Sequence, residues 1–398
     1  MRLLIVSSEF LPGPGGIGTH AYELARHLQQ LDWEVSVVTP QDYAEEQEIS
    51  EFNSAQSFPI VRLKCKGASP VKAILRRRAA RQWIKDWKPD VLLVSGQRAA
   101  WIAATLRCDL PRIVVGHGSE FGIPGQWTNT LTRWTFQQAS LVVCVSEYTR
   151  RKMLAAGIQP QTVQVITNGA DQVRFDVLPA DQVLATRRSL RLEDARLVIT
   201  VGNVTERKGQ DIVIRALPEI LARVPNTHYL IAGLPTRKKE LKKIAEELGV
   251  ADHVHFLGRV ENQRLVSLLN CADVFVMTSR STSDGDFEGF GIAAVEAALC
   301  GKAAVVSADS GLAEAVIDGE TGIVVPQNDE RATANALAGL LNDRERCDEM
   351  GRAARKRALS EQTWEQTVKH YDAALRGVVH RRQLLLTSDS KVRRAFSN

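Results

Sequence analysis

Residues 279–307 read SRSTSDGDFEGFGIAAVEAALCGKAAVVS, and the order of residue types along them decides the fold class. A polar loop carrying carboxylates and glycines runs into an apolar helical stretch at 292–299, and that stretch into a strand-like run at 303–306. Gly301 closes the helix, because a residue tolerant of the left-handed conformation is favoured there. Two glutamates, Glu288 and Glu296, bracket the turn Gly289-Phe290-Gly291 at the helix start. A helix start presents unpaired N–H groups and the positive end of the helix dipole, so the amides of Phe290, Gly291 and Ile292 suit a phosphate group. Glycine at that point lets a ligand approach the backbone closely.

The same alternation runs outward in both directions. Strand-length apolar runs fall at 3–6, 35–38, 91–94, 113–115, 141–145 and 163–166, then at 197–201, 228–231, 253–256, 274–277, 303–306 and 322–325. Helical patterns separate them, which is the mark of parallel sheets covered by helices on both faces. The expectation is an α/β protein of two doubly wound, Rossmann-like domains facing each other across a cleft. Residues 1–175 form the first and 195–358 the second, with a linker at 176–194 where Pro179 interrupts any strand-like pattern. A last helix at 359–378 returns towards the first domain, and the basic tail 379–398 is expected to be disordered.

Composition excludes several classes. Of the 398 residues 44% are hydrophobic and 24% charged, as in a globular protein, and no apolar run reaches the length of a membrane span. The opening MRLLIVSSEFLPGPGG has no small-residue cleavage site and reads as a first strand and its loop, not a signal peptide. The six cysteines (65, 108, 144, 271, 300 and 347) form no Cys-x-x-Cys pair, which argues against a zinc site or a disulfide framework and for a cytoplasmic setting. The net charge is +5, yet 61–88 holds ten Lys or Arg against the single Asp86. There Val71, Leu75, Ala79, Trp83 and Trp87 recur every four positions, so 71–88 is expected to be a basic amphipathic helix. Packing on its own sheet is the plainer role for it; peripheral contact with anionic lipid at the inner face of a membrane is the sharper one. No nucleic-acid-binding module is present.

Chemistry-bearing residues gather at strand ends, where open α/β sheets bind their ligands. Gly13-Pro14-Gly15-Gly16-Ile17-Gly18 follows the first strand and leads into a helix bearing His20. It fails as a dinucleotide fingerprint: the glycine spacing is wrong, Pro14 lacks a donor, and no acidic residue closes the second strand. His117 lies between two glycines just past a strand, a place that exposes it for a hydrogen bond to a sugar, and Glu120 shares its loop. His253 and His255 alternate along a strand and are better read as structural than as a metal pair. The second domain opens with Gly202-Asn203-Val204-Thr205-Glu206-Arg207-Lys208-Gly209, two adjacent cations near a helix start that suit a diphosphate. Asp284-Gly285-Asp286 spells an Asp-x-Asp triplet, but no third ligand accompanies it, and metal independence is expected.

Together these residues resemble the glycosyltransferases of the GT-B superfamily, family 4, also called group 1. Glu288-Gly-Phe-Gly-Ile-Ala-Ala-Val-Glu296 is similar to that family's paired-glutamate motif. Gly15-Gly16-Ile17, Asn168-Gly169-Ala170-Asp171 with Phe175, Lys208-Gly209, 309–314 and 318–322 extend the likeness over nearly the whole chain. The resemblance implies retaining transfer of a glycosyl group from a nucleoside diphosphate sugar, GDP-mannose-like or a UDP-sugar, to an acceptor hydroxyl on a small molecule, glycan or lipid, without cofactor. It assigns donor-sugar hydroxyls to Glu288 and the nucleotide ribose to Glu296. The leaving diphosphate falls to Lys208 and the Gly291–Ile292 amides, sugar contact to His117, and the approach to the phosphates to Gly15 and Gly16. His20 and Glu120 remain acceptor-side candidates. The family usually has arginine where this chain has Asn203; either Arg207 substitutes for it or the diphosphate is stabilised less. The acidic loop 281–287 resembles a mannosyltransferase branch. Rival classes are a nucleotide-sugar epimerase, separable by its products from donor alone, a non-catalytic sugar-nucleotide sensor, which binds without turnover, and an NAD(P) oxidoreductase, disfavoured by the missing fingerprint.

Overall fold

The structure is a computed structural model that describes residues 1–13, 15–40, 44–63, 70–106, 108–118, 120–121 and 127–395. Pro14 and Cys65 fall outside the described residues. The chain forms two compact units, Met1–Thr167 with Trp364–Asn398, and Asn168–Thr363.

Unit 1 holds seven strands: β1 (Arg2–Ser7), β2 (Glu34–Pro40), β3 (Ile60–Leu63), β4 (Val91–Ser95), β5 (Arg112–Gly116), β6 (Leu141–Cys144) and β7 (Val163–Val165). They pair in parallel in the order β3-β2-β1-β4-β5-β6-β7. In β1, β4 and β6 every residue but Arg2 is buried, so these strands read as unbroken apolar runs, as strands covered on both faces must. β3 escapes that pattern. It is an edge strand, mostly half-buried, with Arg62 in its middle donating to Asn53 Oδ1.

Unit 2 holds β8 (Arg196–Val201), β9 (Thr227–Ala232), β10 (Val254–Gly258), β11 (Val274–Met277), β12 (Ala303–Ser307) and β13 (Gly322–Val325), in the order β10-β9-β8-β11-β12-β13. All its pairings are parallel. The strand order reverses between β1 and β4 in one sheet and between β8 and β11 in the other, which fixes where a ligand-binding crevice forms in each.

Three expectations need correction. The stretch placed as a linker, 176–194, belongs to unit 2 and carries a helix, Ala180–Leu190. That helix packs against Asn262–Cys271, and Arg187 pairs with Asp273 at 3.0 Å. No side chain on it is fully buried, so no apolar stripe marks it in the sequence. The C-terminal helix runs Trp364–Ala395, well past 378 and in place of a disordered tail. It is held to unit 1 by Trp33 Nε1 donating to Asp372 at 2.7 Å and Arg376 donating to the Leu31 carbonyl at 2.8 Å. In the basic helix Pro70–Trp87 the inward face is Ala80, Trp83, Ile84 and Trp87, while Ile74, Leu75 and Ala79 are exposed. A repeat of four drifts by about 40° per step from the helical period, so a stripe counted in fours leaves the core side within a few turns.

Candidate active site

In unit 2 the site grows from the two strands flanking the reversal. Past β8 the chain makes a short 3-10 turn, Glu206–Lys208, before the helix Gln210–Arg223. The turn bends through Gly209, whose φ is +66°, and a Cβ there would stand 2.0 Å from the Thr278 carbonyl just past β11. Thr278 Oγ1 donates to the Gly209 carbonyl at 2.7 Å, locking the two strand ends together. Lys208 is thereby aimed at the loop before the helix Ile292–Leu299.

Glu288 accepts that ammonium at 2.7 Å and also pairs with Arg207, whose Nε donates to Asp286 at 3.0 Å. Glu288 is buried. Burial alone raises a carboxyl pKa, but Lys208 and Arg207 outweigh it and hold Glu288 ionised with its pKa down to about 2. Burial lowers the pKa of Lys208, a pull that Glu288 opposes. Two cations and two carboxylates thus form a closed, neutral cluster of Arg207, Lys208, Asp286 and Glu288. Beyond it Gly291, with φ +84°, is the N-cap of the next helix and supplies no side-chain cap. Its Cβ position is filled by Leu312 Cδ1 at 2.4 Å. No side chain caps the helix start, and Glu296, half-buried one turn on, lies on the same face as Ile292.

In unit 1 a separate group of candidate residues gathers past β1, β4 and β5. His117, half-buried just past β5, shares a 2.8 Å hydrogen bond between Nε2 and Ser95 Oγ at the end of β4. Glu120 Oε2 accepts the amides of His117 and Gly118 at 3.1 and 2.8 Å. The His20 ring stands edge-on to His117 at 4.8 Å and is itself held by Tyr371, whose hydroxyl is 3.1 Å from Nε2. Burial pushes the His117 pKa down to about 4 and takes His20 well below the usual imidazole range, so both rings are neutral at pH 7. Gly15 has φ +144°, and its Cβ position is occupied by Glu9 Oε2 at 2.2 Å, whereas Gly16 faces open space.

The family description "Glycosyl transferases group 1" matches residues 184–357, and "Glycosyltransferase Family 4" matches 14–174. A GDP-mannose-dependent alpha-(1-6)-phosphatidylinositol monomannoside mannosyltransferase of Mycolicibacterium smegmatis is 32% identical over 91% of this chain and 95% of its own. The chain is a family 4, group 1 glycosyltransferase of GT-B fold. A glycogen synthase of Mycobacterium tuberculosis is 29% identical to this glycosyltransferase over 95% of the chain and 96% of its own. Among solved structures, Anabaena HepE in complex with UDP and glucose superposes with a TM-score of 0.81 at 20% identity, covering 95% of this chain and all of that one.

Measured against the expectations, unit 2 of this glycosyltransferase brings Lys208, Arg207 and Glu288 into contact. Asn203 does other work: its Oδ1 accepts the Leu234 amide at 3.2 Å, tying the loop to the end of β9. Phe290 offers only its backbone, because its side chain is buried. Asp284 is engaged by Thr282 and Asp286 by Arg207. Among the described residues no group of three His, Cys, Asp or Glu is arranged to hold a metal ion. His253 and His255 do not alternate in one strand; His253 closes a 3-10 turn and His255 shares a 2.9 Å hydrogen bond with His228.

Two acceptor-side candidates of the glycosyltransferase are corrected. His20 is fully buried on the inner face of the helix Gly16–Gln29, so it braces His117 and touches no acceptor. Glu120 is 3% exposed and turned onto its own loop's amides.

Glu120 yields a pH prediction. Burial raises its pKa to about 7, against the amides that lower it, and its stabilising protonated form is full below the unfolded value and lost as pH rises through about 7. Glu120→Gln does not titrate. The melting temperature of the variant relative to wild type should therefore climb between pH 5 and pH 8, by an amount equivalent to up to about 3 kcal/mol. Parallel melts with no pH-dependent difference would contradict this.

Proposed function

We propose that this enzyme transfers a hexosyl group, with GDP-mannose the favoured donor, to a hydroxyl of a lipid-linked acceptor and keeps the anomeric configuration. The observation that carries the reading is the ionised Glu288 clamped by Lys208 and Arg207 beside an uncapped helix start. The donor class is supported by the mannosyltransferase relative that matches almost end to end.

In the reaction proposed, the acceptor oxygen forms a bond to C1 as the bond from C1 to the phosphate oxygen breaks. The acceptor proton passes to that departing phosphate oxygen. Glu288, held as one partner of two ion pairs, serves as a hydroxyl acceptor for the sugar and not as a nucleophile, and no metal ion takes part. Lys208 and the amides at Gly291 and Ile292 stabilise the charge that builds on the diphosphate. Glu296 takes the ribose.

The test is thermal shift against GDP-mannose, UDP-glucose and ADP-glucose, followed by product analysis. Stabilisation should be largest with GDP-mannose, since a ligand that binds the native state raises its melting temperature. An α-linked product confirms retention. An inverted linkage, or an epimerised nucleotide sugar made from donor alone, would refute the mechanism.

Contact with an anionic membrane is part of the same proposal. No described helix is long and apolar enough to cross a membrane. The helix Pro70–Trp87 instead exposes Ile74 and Leu75 (about half of each side chain's area) next to Arg78, Arg81 and Lys85, an arrangement suited to lying on a lipid surface. Co-sedimentation with vesicles containing anionic lipid, lost in Leu75→Glu and absent with neutral vesicles, is the expected result. Equal binding to both kinds of vesicle would count against it.

A further inference from the structure

Unit 2 carries a cavity at the end of its sheet where the strands begin. A groove of about 890 Å³ opens between the helices Ala180–Leu190 and Arg344–Glu361. Its lining includes Arg196, the first residue of β8, and Lys302, which immediately precedes β12. The donor-side residues Gly202 and Lys208 follow the other end of β8, so the length of that strand, about 20 Å, separates the two regions. A smaller pocket of about 150 Å³ shares Arg187, Arg196, Asn270, Lys302, Arg344 and Asp348 with the groove and reaches Asp273, which is paired with Arg187.

The charges of this cavity are only partly spent. Arg187 is committed to Asp273 and to the carbonyls of Cys271 and Ala195, and Arg355 to Asp176 and the Leu299 carbonyl. Arg196, Arg344 and Arg352 also line the groove, and among the described residues their guanidinium groups have no ion-pair partner. The Lys302 ammonium donates to the Asn270 carbonyl at 2.7 Å and meets no carboxylate within ion-pair distance. Burial consequently lowers its pKa. Three carboxylates, Glu193, Asp194 and Asp348, also line the groove, but all three are exposed, whereas Lys302 and Arg196 are half-buried. The rest of the wall is apolar, with Val177, Leu178, Val183, Leu184, Val224 and Pro225.

A half-buried ammonium and unpaired guanidinium groups beside an apolar wall fit an anion with an organic body. We propose that this cavity binds a small organic phosphate, its phosphoryl group in the inner pocket against Lys302, Arg196 and Arg344 and its carbon skeleton along the apolar wall. The site is separate from the one that holds the nucleotide sugar and does not depend on the donor assignment.

The experiment titrates the full chain with mannose 6-phosphate, glycerol 3-phosphate and inorganic phosphate, with mannose and glycerol as controls, by calorimetry and thermal shift. The two esters should bind, their uncharged counterparts should not, and GDP should not compete. Lys302→Gln should weaken binding about tenfold, as loss of a charge-assisted hydrogen bond does. Arg344→Gln, on an exposed position that leaves the fold intact, should do likewise. Lys208→Ala should leave ester binding unchanged. The proposal is overturned if no ester binds at about 10 mM, or if affinity falls in Lys208→Ala and not in Arg344→Gln, which would place the anion in the donor site.

Discussion

Glu288→Ala is expected to lower donor turnover by about three orders of magnitude and to destabilise the protein by about 3–5 kcal/mol. Both effects have one origin. The carboxylate is buried and holds two cations, so its removal leaves Lys208 facing no acceptor but Met277 Sδ and Arg207 paired with Asp286 alone. Breaking a buried pair from one side costs more than the pair contributes, because the orphaned charge stays desolvated. Lys208→Ala should reduce kcat by about 10²–10³ on its own. The double variant Lys208→Met with Glu288→Leu should regain much of the lost stability and none of the activity. Single-turnover kinetics with the preferred donor, set beside melting curves, separate the two effects, and wild-type rates in either single variant would remove the cluster from catalysis. The same charges set an acid limit. Glu288 has a folded pKa below its unfolded value, so its stabilisation is full above about 4.5 and is lost as pH falls towards about 2.

Gly209→Ala should be nearly as damaging without touching a charged group. The new methyl meets a backbone carbonyl at 2.0 Å, which cannot swing aside as a flexible side chain does, in a residue whose φ of +66° already disfavours a side chain. A loss of about 3 kcal/mol is expected. Turnover should fall as well, because the displaced turn carries Lys208 away from Glu288. Gly249→Ala is the control: its φ is +68° and no atom lies within 4 Å of its Cβ position, so only the conformational cost, about 1 kcal/mol, should appear. Equal melting temperatures for the two variants would show that the contact with Thr278 is not what constrains the turn.

Legibility in the sequence followed burial. β11, β13 and the helix Ile292–Leu299 were found to the residue, because their apolar runs are continuous and their ends carry glycine or polar residues. β3 and the helices Glu46–Ser54 and Arg344–Glu361 were not, since each turns only a few side chains inward: Ile49 alone in the first helix and five residues of eighteen in the second. At the site, Lys208 and Glu288 were each legible as donor-site candidates past a strand end, and their mutual contact was not. That Arg207 would be bound to carboxylates, or Glu120 turned towards amides of its own loop, depended on side-chain directions for which spacing carries no signal. His20 was misplaced for a related reason: a histidine after a glycine-rich loop looks accessible until the helix phase puts it inside.

The C-terminal helix has a bearing on how the enzyme is made. Because Trp364 and Tyr371 complete the packing around His20, unit 1 is assembled from the first and last parts of the chain, with unit 2 as one uninterrupted insert. A chain lacking Trp364–Ala395 has both sheets but leaves unit 1 without its closing helix. A chain cut before Trp364 keeps every residue of unit 2 and loses the Trp364 and Tyr371 rings packed around His20, whose own ring stands against His117.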